Sequence, residues 1–125
     1  MSEEEMARVE EIHEATNLKL SGLYSLKHAV MNATALHIDH RNAITSMIQS
    51  VKGSLEILKN VMQVPEGLVM LLDAQLVALE DKKGEVTALV DASVREESRL
   101  RIEEMQASAV LTAVNLLRSA ELMLG

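Results

Sequence analysis

The chain has 125 residues, of which 48% are hydrophobic and 1% aromatic, with a formal net charge of −7 and no cysteine. An acidic chain with one aromatic residue offers no basic surface for phosphates and no stacking platform for bases, so we expect no nucleic-acid partner. Without cysteine there are no disulfides or thiolate metal sites, and the acidic N-terminal segment is unlike a basic secretory signal, so a cytoplasmic location is expected. The longest clearly uncharged apolar run, residues 105–117, is too short to span a bilayer, and we expect no membrane partner.

The first predicted element is a helical arm over residues 3–62, marked by a seven-residue repeat. One row of this repeat reads Val9, Thr16, Leu23, Val30, His37, Ile44, Val51 and Leu58. A second row, three places further on, reads Ile12, Lys19, Leu26, Ala33, His40, Met47, Ser54 and Val61, and the adjoining track contains Leu20, Ile48, Leu55 and Met62. A repeat of about 3.5 residues keeps one helix face against a partner over several turns, which predicts coiled-coil-like packing.

Five polar residues stand in these rows, and we interpret three of them as candidate sites. Thr16, His37 and His40 are predicted to form a polar layer that fixes the register of the helices or acts as a pH switch. Two other interpretations stay open for the histidines. Residues 37–42 are also compatible with a polar turn that splits the arm, and two imidazoles alone leave a zinc site short of ligands.

The start of the first arm contains a Glu-x-x-His pattern, in which Glu10 and His13 share a helix face. Di-iron helical bundles use two such motifs with two further carboxylates, whereas this chain has one. The negative charges near the helix start are also explained by the helix dipole and by solvation. A metal site at Glu10, His13 and Glu14 is kept as a second alternative function.

The segment His40–Thr45, followed by Gly53 and residues 56–58, is similar to the dimerisation helix of sensor histidine kinases. This resemblance implies a phosphotransfer module in which His40 accepts the phosphoryl group, within a helical hairpin that dimerises into a four-helix bundle. The segment departs from the family pattern because Asp39 precedes the histidine instead of following it, and Ala43 replaces the usual proline.

The one proline, Pro65, predicts the boundary between two arms of nearly equal length. We expect a turn at residues 63–67 and a second helical arm over residues 66–123, which together make residues 1–125 a single all-α domain built as an antiparallel hairpin. Gly84, which follows two lysines, is a candidate stop. If both arms are split, at residues 37–42 and at Gly84, the product is four helices.

The apolar stripe on both arms is too wide to be covered by one neighbouring helix. Two hairpins packed as a four-helix bundle would cover it, and a twofold dimer is the commonest closed assembly. We therefore predict a homodimer.

A charged stretch occupies residues 95–104, where Glu97 with Arg101 and Arg99 with Glu103 are spaced i,i+4. This pattern favours a solvated helix surface. The alternative hypothesis is a docking site for another protein, formed by Arg95, Arg99, Arg101 and Glu103.

Neither a nucleophile motif nor a glycine-rich phosphate loop is present, so we expect no enzyme activity and no cofactor. The predicted function is a non-enzymatic helical protein-protein interaction module, an adaptor, antagonist, regulator or chaperone-like protein, that binds itself and an unidentified protein. In composition the chain resembles export chaperones of secretion systems. Phosphotransfer through His40 is the first alternative.

Overall fold

The protein is described by a computed structural model that covers residues 1–61 and 63–125. Its two helices are α1, Glu3–Val61, and α2, Glu66–Leu124, each 59 residues long. The helices pack against each other, so the predicted all-α hairpin is confirmed. Met62, predicted as the last residue of the first arm, lies outside the described residues.

The starts of both helices follow from local hydrogen bonding. The hydroxyl oxygen of Ser2 accepts from the backbone N–H of Glu5 at 3.2 Å, and the Glu5 carboxylate accepts from the Ser2 N–H at 3.4 Å, which is a reciprocal capping box. The hydrogen bonds from Ser2 lower the pKa of Glu5. At α2, the carbonyl of Pro65 accepts from the N–H groups of Leu68 and Val69, so Pro65 precedes the first helical turn.

Both helices continue through the predicted breaks. Helix α1 passes through residues 37–42 and α2 passes through Gly84, so the predicted hairpin of two long helices is confirmed and the alternative of a split into four helices is wrong. Glycine in a helix costs about 1 kcal/mol relative to alanine. Val86, two residues after Gly84, is buried against α1. Burying a valine contributes about 1.5–3 kcal/mol, which outweighs the cost of the glycine.

The chain divides into two compact units. Unit 1 consists of residues 1–31 and 95–125, and its core contains Leu23, Leu100 and Ala107. The two segments run antiparallel, because Glu10 pairs with Arg118 and Lys27 pairs with Glu104, each at 2.8 Å.

Unit 2 consists of residues 32–94 and includes the turn. Ile44, Ile48 and Val86 form its core, and Leu76 and Leu79 pack against them. Lys52 and Glu80 join the two helices of this unit through an ion pair of 3.8 Å. The prediction of one domain for the whole chain stays a prediction.

The burial pattern of α1 corrects one of the two predicted rows. Every member of the row from Val9 to Leu58 is buried or half-buried, as expected for residues that face α2. In the row from Ile12 to Val61, only Ala33 is even half-buried, so this row does not face α2. The row that faces α2 instead lies four places after the first one: His13, Leu20, Lys27, Thr34, Arg41, Ile48 and Leu55.

This difference has a simple geometric reason. Rows three and four places on lie about 50° to either side of the first row of a heptad helix. One neighbouring helix covers the first row and one flank. The other flank, which carries Ile12, Leu26 and Met47, is left exposed to solvent.

Candidate interaction surface

The surface is unusually rich in large apolar side chains. Among the described residues, 24 large hydrophobic side chains are exposed, whereas ten hydrophobic residues are buried. A scattered apolar side chain on a surface is ordinary, but a contiguous apolar patch marks a site of interaction. The arrangement of the exposed residues therefore decides what this surface can do.

Unit 2 has an open groove of about 370 Å³ along one side of its helix pair. The groove is lined by Met47, Val51, Gln75, Ala78 and Leu79. We call the side of unit 2 that carries this groove the groove face. Met47 and Gln75 each lie three residues after an inward-facing residue, Ile44 and Leu72, so the same heptad row of both helices borders the groove.

The heptad repeat extends the groove face along both helices. Val61, Leu68, Leu71 and Leu89 lie one or two heptads from residues that line the groove, and all four side chains are exposed. The ionisable residues at the same spacing are His37, His40, Lys82 and Glu85. The groove face is thus mainly apolar, with one or two charges of each sign.

The opposite side of unit 2 is more polar. Lys52 and Glu80, which form the ion pair across the helices, each come one residue after an inward-facing residue and so point away from the groove. The same rows also contain Lys59, one heptad after Lys52, and Asp73 and Thr87, one heptad before and after Glu80. Unit 2 therefore has one apolar side and one charged side.

The charged stretch of α2 lies in unit 1, and most of its charges are already paired. The guanidinium of Arg99 donates to Glu96 and Glu103 at 3.0 Å each, and Arg101 donates to Glu97 at 2.6 Å. These contacts confirm the predicted i,i+4 pairs. The hydrogen bond from Arg99 lowers the pKa of Glu96, so the carboxylate of this pair stays ionised to a lower pH than an isolated glutamate.

Arg95 differs from its two neighbours, since no ion pair with Arg95 is formed among residues 1–61 and 63–125 and its side chain is exposed. Glu103 accepts from Arg99 and is half-buried. Among the four residues of the docking hypothesis, Arg99, Arg101 and Glu103 are therefore engaged in ion pairs within α2, and the hypothesis stays a prediction.

The three predicted polar residues are not equivalent. Thr16 is buried between the helices of unit 1, His37 is half-buried in unit 2, and His40 is exposed. The expectation that both histidines face the helix interface is wrong for His40, because His40 belongs to the exposed flank of α1. A polar layer formed by this histidine pair inside the hairpin is excluded by that placement.

The predicted metal site is not assembled. Glu10 is engaged by Arg118 at 2.8 Å. Across the part of the chain that the structure describes, no three histidine or acidic side chains come together in a way that could hold a metal ion. The carboxylate of Glu10 instead helps to join α1 to α2 in unit 1.

By length and composition alone, α2 is also apolar enough to cross a membrane. A stretch of 18 residues in α2 has a mean hydropathy of 1.3, and 11% of the stretch is buried. Core helices of soluble proteins pass the same criterion, so this is weak support for membrane insertion. The expectation that the chain has no membrane partner stays a prediction.

Comparison with protein-family models finds no matching family, and searches of curated proteins and of solved structures find no match. The surface of the hairpin is therefore the basis for a functional proposal. The groove residues Gln75 and Ala78 were not among the predicted site residues. Continuing the heptad count of the first arm along α2 would have placed Leu68, Gln75, Lys82 and Leu89 in one row.

Proposed function

We propose that this protein is a non-enzymatic helical interaction module that self-associates into a dimeric four-helix bundle and binds a further protein. One observation carries the proposal. The chain exposes 8941 Å², whereas a compact monomer of 13.7 kDa exposes about 6600 Å². The excess of about 2300 Å² per chain is surface that a soluble monomer of this size would ordinarily bury.

Self-association supplies the missing burial in the simplest way. Two copies that each bury about 2000 Å² would share about 4000 Å², which lies within the range of obligate homodimers. Each helix would then have two neighbours, one on each flank of its first heptad row, as in four-helix bundles. The exposed flank of α1 supports this arrangement, since Ile12, Leu26 and Met47 are apolar but face solvent in the single chain.

Binding of a second protein is proposed through the charged stretch of α2. The exposed guanidinium of Arg95 makes no ion pair among the described residues, and Arg99, one helical turn further on, is exposed beside it. Arg99 and Arg101 are exposed cations of the same stretch, although both already pair with glutamates. Adaptors, antagonists, regulators and chaperones all use helix surfaces of this kind, and the sequence favours none of them.

The self-association proposal is tested by the mass of the purified protein in solution. Light scattering after gel filtration should give about 27 kDa, twice the chain mass of 13.7 kDa, at about 10 to 100 µM, a range that corresponds to association free energies of about −7 to −5.5 kcal/mol. A helical monomer that persists over this range would contradict it.

The partner-binding proposal needs a separate experiment. Proteins captured by the wild type and by a triple variant, Arg95→Glu with Arg99→Glu and Arg101→Glu, should differ if the charged stretch docks a partner. A variant with reversed charge at Lys52 and Lys59, on the polar side of unit 2, is the matched control. If all three proteins capture the same set, this stretch is not the docking site.

Phosphotransfer through His40 remains the alternative that one observation favours, because the imidazole of His40 is exposed and thus accessible to a phosphodonor. Incubation with a labelled phosphodonor should mark the wild type and spare His40→Gln if that alternative holds. Absence of label on the wild type removes it.

A further inference from the structure

We propose that the groove face of unit 2 is the surface on which a second copy of this chain docks, with Met47 and Ala78 at the centre of the interface. This inference rests on the proposed self-association and specifies its site. It selects one side of one unit from the large exposed surface of the hairpin.

The distribution of charge on unit 2 favours the groove face as the dimer interface. Each chain carries a net charge of −7, so two copies repel each other unless they meet through a surface with few acidic groups. Among residues that share heptad rows with the groove lining in unit 2, Glu85 is the acidic one, and Lys82 donates to it at 3.5 Å. The opposite side carries Lys52, Lys59, Asp73 and Glu80, so a dimer formed there would have to remove four charged groups of each copy from water.

The shape of the groove face also suits contact with a second copy. The groove is lined by small or flexible side chains, among them Ala78 and Met47, and exposed Leu71 and Val61 lie on the same heptad rows further toward the turn. Large side chains beside a shallow groove give a surface that can interdigitate with its own copy. A twofold interface needs this self-complementarity, because each copy contributes the same patch.

Both helices contribute residues of the same heptad row to the groove face. Met47 on α1 and Gln75 on α2 occupy the same heptad row, so a second hairpin laid on the groove face contacts both helices at once. In this arrangement Lys82 of one copy faces a surface of the second copy that carries Glu85. A patch with both signs of charge can pair with itself across a twofold axis.

The experiment compares two methionines of unit 2 that are similarly exposed. Met47, exposed to 54%, lies in the groove, whereas Met70, exposed to 65%, lies two residues before the inward-facing Leu72 and points away from α1. Met47→Glu and Met70→Glu change the net charge equally. We expect Met47→Glu to raise the dissociation constant of the dimer by about 100-fold or more, because a carboxylate would be buried without a partner. Met70→Glu should change it by less than about threefold.

A second measurement does not depend on the folding of a charged variant. Since the chain has no cysteine, Ala78→Cys and Ala88→Cys each introduce a single thiol on an exposed position of α2. Alkylation of the thiol at position 78 should slow by about tenfold or more as the protein concentration rises through the dissociation constant, because the thiol is covered in the dimer. The thiol at position 88, which points away from α1, should react at a constant rate.

The outcomes separate the inference from the function on which it rests. A wild type that is monomeric at 100 µM would overturn both, given the affinity that this concentration probes. A dimeric wild type with equal effects at Met47 and Met70, or with a thiol at position 78 that reacts as fast when concentrated as when dilute, would overturn the groove face alone. Should Met47→Glu unfold, the thiol measurement decides.

Discussion

At the scale of single residues, the two helices are held together by a few enclosed side chains. Leu100 is 0% exposed and Val86 is 1% exposed, and each sits in the core of a different unit. Replacing either side chain with a smaller one would leave a cavity between the helices. Other buried residues, such as Ile48 at 2% and Val90 at 6%, are enclosed almost as fully, and half-buried residues make up the remainder of the interface.

We predict that Leu100→Ala lowers the free energy of unfolding by about 2–5 kcal/mol, because it removes a fully enclosed side chain and leaves a cavity. The check is the midpoint of urea unfolding at a fixed protein concentration. Ile102→Ala, two residues away and exposed to 57%, is the control and should change stability by less than about 0.5 kcal/mol. Equal losses in the two variants would contradict the orientation of α2.

The residue scale also shows how far the sequence alone leads. The first heptad row was recognisable from Leu23, Ile44 and their neighbours, and its burial is confirmed. The flank that faces α2 was not, because aliphatic residues occupy both flanks. The true flank also contains Lys27, whose charge argued against burial. The ion pair with Glu104 at 2.8 Å makes this lysine acceptable there.

At the scale of the elements, the ends of the helices were more predictable than their continuity. Pro65 has no N–H to donate and has a fixed backbone torsion, so the chain turn next to it follows from one residue. Continuity through Gly84 depends on a tertiary term instead, namely the burial of Val86 and Val90 against α1. The local sequence around Gly84 does not show whether these two valines are buried, so it does not predict whether the helix continues.

We predict that Gly84→Ala raises the free energy of unfolding by about 0.5–1 kcal/mol. A Cβ added at Gly84 meets nothing within 4 Å, and the residue lies inside α2 without a positive φ, so alanine gains helix propensity at no steric cost. Urea unfolding of the variant measures the effect.

The matched control for Gly84 is Ala88→Gly in the same helix, at an exposed position one turn further on. It should lower stability by a similar amount, for the same reason in reverse. Destabilisation by both substitutions would mean that α2 is interrupted at Gly84 in solution, and the second arm would then consist of two helices.

At the scale of the whole molecule, composition predicted the fold class but not the site. A chain with Tyr24 as its one aromatic residue and a heptad repeat is restricted to helices that meet along stripes, and both helices follow that expectation. The groove face was not predicted, because it is formed by residues of both arms whose alignment depends on how α2 returns along α1. Met47 and Ala78 are 31 positions apart and meet only in the folded unit.

The proposed dimer makes a prediction about the whole molecule that needs no substitution. If each unfolding event releases two chains, dilution favours the unfolded state by mass action, and the melting temperature must fall with protein concentration. Tenfold dilution shifts the balance by about 1.4 kcal/mol per dimer, and the unfolding entropy of about 250 residues is about 0.5 kcal/mol/K. We therefore expect the melting temperature, followed by circular dichroism, to fall by about 3 °C for each tenfold dilution. Met70→Glu should keep this dependence and Met47→Glu should lose most of it, because a chain that is already monomeric unfolds independently of its concentration. A wild type whose melting temperature is constant over a hundredfold dilution would show that α1 and α2 are stable without a second copy, despite their exposed apolar surface.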